Sequence, residues 1–403
     1  MLTTAVIAKI RPVSAPICAR LFQTNARQLI VVNRYARILP FMANTTEYPD
    51  YAVALISDTH FDEGPWSRYR GALPQDPNSL AAHDFNRNLI MWQDLLPRLL
   101  TASASIITAD TDFVFHLGDI TQGHAENARG LTQMLQNGWT QVTNAYGATP
   151  VYLLVGNHDV LAPDGVAAYD AWSRRPRCRA FRKGPDAWIL VDSDRPPSLG
   201  ELKELFRQAE GARWTFFLSH RPVFPFAVGL DFLYGKDTQD DCRQELRRLL
   251  AERQAIVLSA HVHSLIHATF DFPEGRVTQF VINSLWEKPE LANLAFHAIS
   301  RHKWCTKAAH VGAEQRAAFT RFTDEFRPYL TSYRQTHAAG HFRLKVSDTD
   351  VRLELYGGDA TDPSETVILA DQKRARPTKL RILRKIADFL RRGLSRPRTV
   401  TSR

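Results

Sequence analysis

The chain has 403 residues, of which 44% are hydrophobic, and a net charge of +9. That is enough for a sizeable core, and no run of about 18 apolar residues is present that could cross a bilayer. The positive charge is confined to the ends. Residues 1–41 carry +6 and residues 371–403 carry +10, which leaves −7 for residues 42–370. Such an acidic body disfavours a dedicated nucleic-acid-binding domain.

The first 41 residues are expected to lie outside the fold. They contain arginine and no acidic residue, as transit peptides do. A second explanation is a start site assigned too early, because Met42 opens MANTTEYPDYAVALISDTH and would place the first strand close to the terminus. Either way, residues 1–41 form a basic extension, disordered or leader-like, before a body that begins at residue 42.

Seven short apolar runs predict buried strands. They lie at 51–57, 112–118, 151–156, 188–193, 214–220, 255–261 and 278–284. Helical patterns separate most of them, at 79–100 with Pro97 near the end, 125–147, 198–210 and 237–253. Alternating strands and helices predict an α/β layered domain.

The alternation stops after residue 285. Residues 286–338 are predicted to form a helical insertion. Residues 341–358 alternate apolar and polar side chains around a Ser-Asp-Thr-Asp turn, which predicts an antiparallel hairpin, so we expect strands in 339–370 to complete the core. Residues 371–403 read as a basic amphipathic tail. Such a tail can lie on an anionic membrane, bind nucleic acid or pack against the body.

Side chains that bind metals or protons follow five of the predicted strands. In open α/β sheets, ligands bind beyond the carboxyl ends of the strands. The residues in question are Asp58, His60, Asp119, Asn157, His158, Asp159, His220, His261 and His263. Each is a weak signal alone, because a capping Asp or a Gly-Asp turn is common. Their joint occurrence at strand ends predicts one site.

Taken as a set, Asp-X-His (58–60), Gly-Asp (118–119), Gly-Asn-His-Asp (156–159), His220 and His-X-His (261–263) resemble the signature of the calcineurin-like metallophosphoesterase superfamily. The resemblance covers roughly 51–285. It implies a four-layer α/β fold, with two mixed β-sheets packed face to face and flanked by helices, and a catalytic core at 42–285. Ala260 stands where the family usually has glycine. We expect its methyl group to crowd the turn slightly without removing a ligand.

The resemblance also implies a binuclear metal centre. The first metal would be held by Asp58, His60 and His263, the second by Asn157, His220 and His261, and Asp119 would bridge both. Imidazoles and carboxylates suit Mn, Fe or Zn ions. The neutral amide of Asn157 adds no negative charge that would repel a phosphate.

The implied activity is the hydrolysis of phosphate esters. Two metals about 3.5–4 Å apart can generate a hydroxide near neutral pH and clamp the phosphoryl oxygens. In this scheme a metal-bridging hydroxide is the nucleophile, and His158 points at the substrate as the general acid, since the ordinary pKa of histidine lies near 6.5. Asp159 is expected to orient the loop or a ligand imidazole.

The motifs exclude two subfamilies of phosphatases but do not identify the substrate. Residues 118–123 lack the acid and the arginine found in Ser/Thr protein phosphatases, and Gln122 replaces the ligand tyrosine of purple acid phosphatases. The chain is similar to the bacterial group that includes class III cyclic nucleotide phosphodiesterases, so a small phosphate ester or nucleotide is expected. Cyclic nucleotide hydrolysis specifically, and a non-catalytic scaffold that binds a phosphorylated ligand or a membrane, stay open as alternatives.

Four further features leave two explanations each. The aromatic and arginine residues of loop 61–79 either line a substrate pocket or cover the surface, and Arg221 either touches substrate or forms a surface salt bridge. His124 is undecided. The six basic residues in 173–184 form a solvated face or, less favoured, an electropositive rim that attracts anionic substrate.

The cysteine pattern indicates the compartment. Four cysteines lie far apart without CxxC pairing, which is typical of thiols in a reducing environment. We therefore expect a cytoplasmic protein, with peripheral membrane contact through the basic tail as a further expectation.

Overall fold

A computed structural model describes residues 48–62, 95–225, 232–285, 297–298 and 313–372. These residues belong to one compact unit, Tyr48–Arg403, whereas the other unit, Met1–Glu47, lies outside them. The predictions for residues 1–41, for most of loop 61–79 and for nearly all of the tail also lie outside the described residues.

Before residue 285, helices separate most but not all of the consecutive strands of the described chain. The strands are β1 (Tyr51–Ile56), β2 (Thr111–His116), β3 (Val151–Leu153), β4 (Arg179–Lys183), β5 (Asp186–Val191), β6 (Thr215–Ser219), β7 (Ile256–Ser259), β8 (Leu265–Asp271), β9 (Arg276–Val281), β10 (His297–Ala298), β11 (Leu330–Thr336), β12 (Gly340–Val346), β13 (Asp350–Gly357) and β14 (Glu365–Asp371). The α-helices are α1 (Leu96–Ser105), α2 (Ala128–Tyr146), α3 (Gly165–Ser173), α4 (Leu199–Gln208), α5 (Asp240–Glu252) and α6 (Ala313–Phe326).

The strands form two mixed sheets. The six-stranded sheet has the order β14-β13-β12-β1-β2-β3, and the eight-stranded sheet has the order β10-β11-β8-β9-β7-β6-β5-β4. In the first sheet β1, β2 and β3 are parallel, and in the second β5, β6, β7 and β9 are parallel. Parallel neighbours bring their carboxyl ends to the same edge, which is where the predicted site residues lie.

Three apolar clusters separate four layers. The central cluster joins the two sheets through residues such as Phe115, Trp188, Phe216 and Leu344, and the Trp188 and Phe216 rings stack with centroids 4.0 Å apart. A second cluster packs α1, α2 and α3 on the six-stranded sheet, and a third packs α4 and α5 on the eight-stranded sheet. The predicted four-layer α/β fold is therefore confirmed.

Local signals for several elements are also confirmed. Ser198 caps α4 by accepting from the Glu201 amide while Glu201 bonds back to Ser198, which forms a capping box. The hairpin predicted at 341–358 is β12 and β13, which pair from Gly340 with Gly357 to Val346 with Val351.

The predicted helical insertion at 286–338 is wrong in its last part. Helix α6 lies there, but residues 330–336 form β11, which pairs antiparallel with β8. The sequence prediction had not identified β8 as a strand, and a strand at this position depends on that long-range pairing more than on local pattern. The other described part of the insertion, β10, is also extended and pairs with β11.

The predicted end of the helix at 79–100 needs correction. The described helix α1 begins at Leu96 and ends at Ser105, beyond the predicted end, so Pro97 lies in its first turn, where a missing amide hydrogen costs little. Residues 179–183, within the basic run at 173–184, form the partly exposed edge strand β4, which pairs with β5. None of the described helices combines the length and the apolar character needed to span a bilayer.

Candidate metal centre

The predicted site residues lie in loops that directly follow strands. Asp58 and His60 follow β1, Asp119 follows β2, Asn157 and His158 follow β3, His220 follows β6, and His261 and His263 follow β7. Backbone hydrogen bonds tie the loops together: the Asp58 amide donates to the Gly118 carbonyl (3.0 Å), and the Ala260 amide donates to the His220 carbonyl (2.8 Å). The folded chain therefore gathers all seven predicted ligands and His158 at one edge.

Five of the seven predicted ligands have a left-handed backbone. Their φ angles are 50° at Asp58, 44° at His60, 54° at Asp119, 74° at His261 and 46° at His263. Positive φ is uncommon for residues other than glycine and costs on the order of 1–3 kcal/mol at each position. Backbone strain at the residues that carry these side chains indicates that the fold positions the side chains for a ligand.

Two glycines make room for the centre. A Cβ on Gly156 would lie 2.1 Å from Asp119 Oδ1, and a Cβ on Gly118, whose φ is +108°, would lie 2.6 Å from His220 Nδ1. Neither position can hold a larger residue without moving a predicted ligand. Lack of space for a side chain thus explains why glycine occupies the first position of the motifs Gly-Asp and Gly-Asn-His-Asp.

The first cluster of donor atoms comprises Asp58, His60 and His263. One donor atom from each lies within 4.8 Å of the others. Asp58 Oδ1 is 3.8 Å from His60 Nε2 and 3.5 Å from His263 Nε2, and the two Nε2 atoms are 3.1 Å apart. This spacing fits three ligands that face one cation.

The second cluster comprises Asp119, His220 and His261, again with donor atoms within 4.8 Å of one another. Asp119 also lies within that distance of His60, so a single carboxylate joins the two clusters. The buried Oδ1 atom of Asn157 has no hydrogen-bond partner among the described residues. Since an unpaired buried amide oxygen is costly, it fits the role of a metal ligand.

Hydrogen bonding sets the orientation of His220. Its Nδ1 lies 2.9 Å from the carbonyl oxygen of Leu117, to which it donates, so Nε2 faces Asp119 Oδ2 at 3.0 Å. A histidine that binds a metal through one nitrogen commonly donates its other ring N–H in this way. The side chain is completely buried and held in the form that a cation needs.

Asp119 and His220 shift each other's pKa in opposite directions. Burial raises the pKa of the Asp119 carboxyl, but the charges of His220 and His158 lower it more, and the net pKa is well below the usual range. Burial lowers the pKa of His220, whereas the charge and hydrogen bond of Asp119 raise it to about 9. A carboxylate and an imidazole that are buried this close together can bind a metal ion, because a metal ion competes with protons for such ligands.

His158 lies beside both clusters with one ring nitrogen fixed. Its Nδ1 donates to the carbonyl oxygen of Gln122 at 2.9 Å, and its backbone amide donates to Asp119 Oδ1 at 2.8 Å. Its ring meets that of His60 edge-on, with centroids 4.8 Å apart. The Nε2 atom is therefore the one available to a substrate.

Asp159 holds the loops in place, as predicted for a residue that orients them. It is completely buried, and its carboxylate accepts hydrogen bonds from the backbone amides of Asp119, Thr121 and Gly156, each at 3.0 Å. One side chain thus joins the loop after β2 to the loop after β3.

The remaining predictions near the site have mixed outcomes. Ala260 is buried in the central cluster and is not among the described residues with positive φ, so its methyl group is accommodated without backbone strain. Arg221 contacts Asp194 at 3.2 Å, which favours the salt-bridge alternative. The His124 ring lies 6.1 Å from the His158 ring, and its role stays undecided.

The sequence reasoning missed His116. The Gly118 amide donates to its Nδ1 (3.3 Å), so its Nε2 donates to Thr59 Oγ1 (2.9 Å), which donates in turn to the Ile120 carbonyl (3.1 Å). Burial lowers the pKa of His116 to about 4, which keeps the ring neutral. His116 thus connects the loops after β1 and β2. In the sequence, a histidine within the apolar run DFVFHLG could have indicated a buried polar contact at this position.

Comparison with known proteins identifies one family. The family model for calcineurin-like phosphoesterases matches residues 51–265, which is more than half of the chain. The match ends just after the last predicted ligand and includes the loops that carry all of them. No match was found among the curated proteins that were compared.

Solved structures show weaker similarities. A purple acid phosphatase from yellow lupin (Lupinus luteus) seeds is 12% identical, with 83% of this chain and 56% of that chain covered and a TM-score of 0.49. PhoD is 12% identical, with 81% of this chain and 72% of that chain covered and a TM-score of 0.46. A dimetal phosphatase from Danio rerio is 11% identical, with 80% of this chain and 100% of that chain covered and a TM-score of 0.44. The chain spans little more than half the length of the lupin enzyme, and similarities at this level carry no argument about activity.

Proposed function

The chain belongs to the calcineurin-like phosphoesterase family, a family of hydrolases of phosphoric ester bonds, and we propose that it hydrolyses phosphate esters at a binuclear metal centre. One observation carries the proposal: the donor cluster of Asp58, His60 and His263 and that of Asp119, His220 and His261 are joined by the short distance from His60 to Asp119. A shared carboxylate between two three-residue clusters is what a pair of ions requires.

Seven side chains are proposed to hold the two metal ions. Asp58, His60 and His263 bind the first, Asn157, His220 and His261 bind the second, and Asp119 bridges them. The donor set contains carboxylates, imidazoles and one amide but no thiolate, which suits Mn, Fe or Zn. When bound, the ions supply an activated water and positive charge for the phosphoryl oxygens.

His158 is proposed to act as the general acid. Because its Nδ1 donates to the Gln122 carbonyl, its Nε2 can carry a second proton toward the oxygen of the departing alcohol. The hydrogen bond from its backbone amide to Asp119 fixes the loop relative to the bridging carboxylate.

The substrate is proposed to be a small phosphate ester or nucleotide, acted on in the cytoplasm. The two described cysteines, Cys178 and Cys242, are free thiols, which agrees with a reducing compartment. Contact of the basic tail with an anionic membrane is a further proposal that rests on its composition, with twelve basic and two acidic residues in 371–403.

Hydrolysis assays with Mn²⁺ test the proposal. Purified full-length protein is assayed with p-nitrophenyl phosphate, bis-p-nitrophenyl phosphate and cyclic AMP, with Asp119→Ala as the control. We expect turnover of at least one ester by the wild type and none by the variant. Preference for the monoester or the diesters separates a phosphatase from a phosphodiesterase. Metal-loaded protein that turns over no ester would support a non-catalytic scaffold instead.

A further inference from the structure

A cavity of about 250 Å³ lies beside β3, the edge strand of the six-stranded sheet. It is bounded by α2, α3, the end of β3 and the segment 173–179, and none of the proposed metal ligands lines it. Its walls include Trp139, Tyr169, Trp172, Ser173, Arg175 and Arg179.

Two polar atoms at this cavity lack partners. The Nη2 atom of Arg179 and the Oγ atom of Ser173 are both buried, and neither has a hydrogen-bond partner among the described residues. Arg179 uses its other terminal nitrogen, Nη1, to donate to the Pro176 carbonyl at 3.1 Å. Leaving a buried donor of a charged group without a partner is unfavourable, so an acceptor atom of a ligand at this point would be stabilised.

The charged groups at the cavity leave a net positive charge, since three arginines line it and two carboxylates, Asp170 and Asp192, lie beside them. Arg175 adds a second positive charge close to Arg179, and within the described chain neither guanidinium forms an ion pair with an acid. Arg177, between them in the sequence, differs, since it pairs with Asp170 (2.5 Å) and Asp192 (2.8 Å). Acidic side chains therefore neutralise Arg177, whereas Arg175 and Arg179 are available to bind an anion.

Three aromatic side chains form much of the remaining cavity wall. The rings of Trp139 and Trp172 meet edge-on at 84° with centroids 6.3 Å apart, and Tyr169 contacts Trp172 at 5.6 Å. The Trp172 indole nitrogen donates to Gln136 Oε1 at 3.2 Å, which fixes its ring. Apolar walls with a few convergent polar groups are typical of small-molecule sites.

We propose that this cavity binds a small organic oxyanion. The anionic group contacts Arg179 Nη2 and Ser173 Oγ, and the apolar body of the ligand lies against Trp139 and Trp172. Phosphate and carboxylate share the required chemistry, because both present oxygens that accept charge-assisted hydrogen bonds from arginine. The site is independent of the metal centre and does not rest on the proposed hydrolysis.

The test follows the indole N–H signals of Trp139 and Trp172 in tryptophan-labelled, metal-loaded, full-length protein by NMR. The two signals are assigned with Trp139→Phe and Trp172→Phe. Phenylphosphonate and benzoate are titrated separately, and benzyl alcohol serves as the uncharged probe. Phenylphosphonate cannot be hydrolysed at its P–C bond, and the local signals separate this cavity from any binding at the metals.

We expect at least one of the two anions to shift both signals with a Kd below about 10 mM, and benzyl alcohol to bind more weakly. Response to phenylphosphonate alone identifies a phosphate site, and response to benzoate alone identifies a carboxylate site. Arg179→Gln should weaken binding at least about tenfold, since a charged hydrogen bond contributes about 1.5–3 kcal/mol. Ser173→Ala should weaken it by a smaller factor and provides a second test if Arg179→Gln unfolds.

Arg182→Gln is the matched control, because Arg182 lies on the same strand and, within the described part of the chain, bonds only to the carbonyl groups of Pro185 and Glu210. It should bind the anion as the wild type does. Three results would overturn the proposal: indole signals that neither anion shifts, equal affinity for benzyl alcohol, or folded Arg179→Gln and Ser173→Ala variants that both bind with unchanged affinity.

Discussion

The Nε2 atoms of His60 and His263 lie 3.1 Å apart, although 203 residues separate them in the chain. The side chain of His60 is buried, and burial lowers its pKa well below the ordinary value. Asp58 Oδ1 lies within 4 Å of both nitrogens. Two imidazole lone pairs and a carboxylate that face one point repel one another unless a proton or a cation lies between them. The cost of holding them there is the physical basis for expecting a metal.

Replacement of Gly156 tests whether close approach of the backbone is needed. In Gly156→Ala the new Cβ would lie 2.1 Å from Asp119 Oδ1, so the bridging carboxylate must move. We expect loss of metal binding and of hydrolysis, measured by metal analysis and by turnover of p-nitrophenyl phosphate. Gly200→Ala is the matched control, because its Cβ would meet nothing within 4 Å, and this helical position should gain up to about 1 kcal/mol of stability. Full metal content in Gly156→Ala would contradict the steric explanation.

Asp159→Asn tests the residue that holds the loops. Asp159 accepts from three backbone amides, and an amide NH₂ group in place of one oxygen would face at least one of these donors. Misplaced ligand loops should lower metal affinity about 10–100-fold, measured by competition with a chelator. Asp164→Asn is the control, since this exposed residue makes no capping hydrogen bond and asparagine tolerates its left-handed backbone. Equal affinity in the two variants would show that Asp159 does not position the ligands.

His158→Ala should separate metal binding from proton transfer. We expect normal metal content and a loss of rate of about 10²–10⁴-fold. The loss should be larger for an alkyl phosphate than for a p-nitrophenyl ester, because a poor leaving group depends more on a donated proton. Metal analysis and turnover on both esters provide the measurement. A variant without metal would place His158 among the ligands, in line with its proximity to His60 and Asp119.

His341 should make the protein less stable in mild acid. It is completely buried and stacks on Tyr356, and burial lowers its pKa from 6.5 to about 4. Since the unfolded chain binds this proton more readily, the stabilisation is present above pH 6.5 and falls as the pH drops toward 4. The free energy of unfolding should lose about 2 kcal/mol between pH 7.5 and 5 from this group.

Denaturant unfolding at the two pH values measures this effect. In His341→Phe the loss should be smaller by that amount, because the phenyl ring keeps the stack and does not titrate. Tyr356→Phe retains the imidazole and should keep the pH dependence of the wild type. An identical pH dependence in wild type and His341→Phe would mean that other groups cause it.

The residues of the candidate site could be named from the sequence because each follows an apolar run. β1, for example, has six buried residues and is followed within two positions by Asp58. Their joint occurrence at strand ends predicted one site, whereas the division of the ligands between two metals came from the resemblance to a family. Nor could the left-handed backbone at Asp58 and His263 be predicted, because it is imposed by the contacts of the loops and not by residue type.

Features that depend on long-range pairing were missed. β11 is a strand because β8 lies beside it, and neither segment has a local pattern strong enough to predict the pair. The run of basic residues at 173–184 gave no indication that Arg177 pairs with two acids whereas Arg179, beside a cavity, has no acid partner among the described residues. Spacing along the chain carries no information about such differences, since they arise from which acids the fold brings near.

The metal content of the purified protein tests the central claim most directly. Elemental analysis after saturation with Mn²⁺ and removal of free ion should give about two ions per chain for the wild type. It should give close to none for Asp119→Ala, because the bridging carboxylate serves both ions. A wild-type chain that retains no ion, or an Asp119→Ala chain that still retains two, would contradict a binuclear centre at these residues.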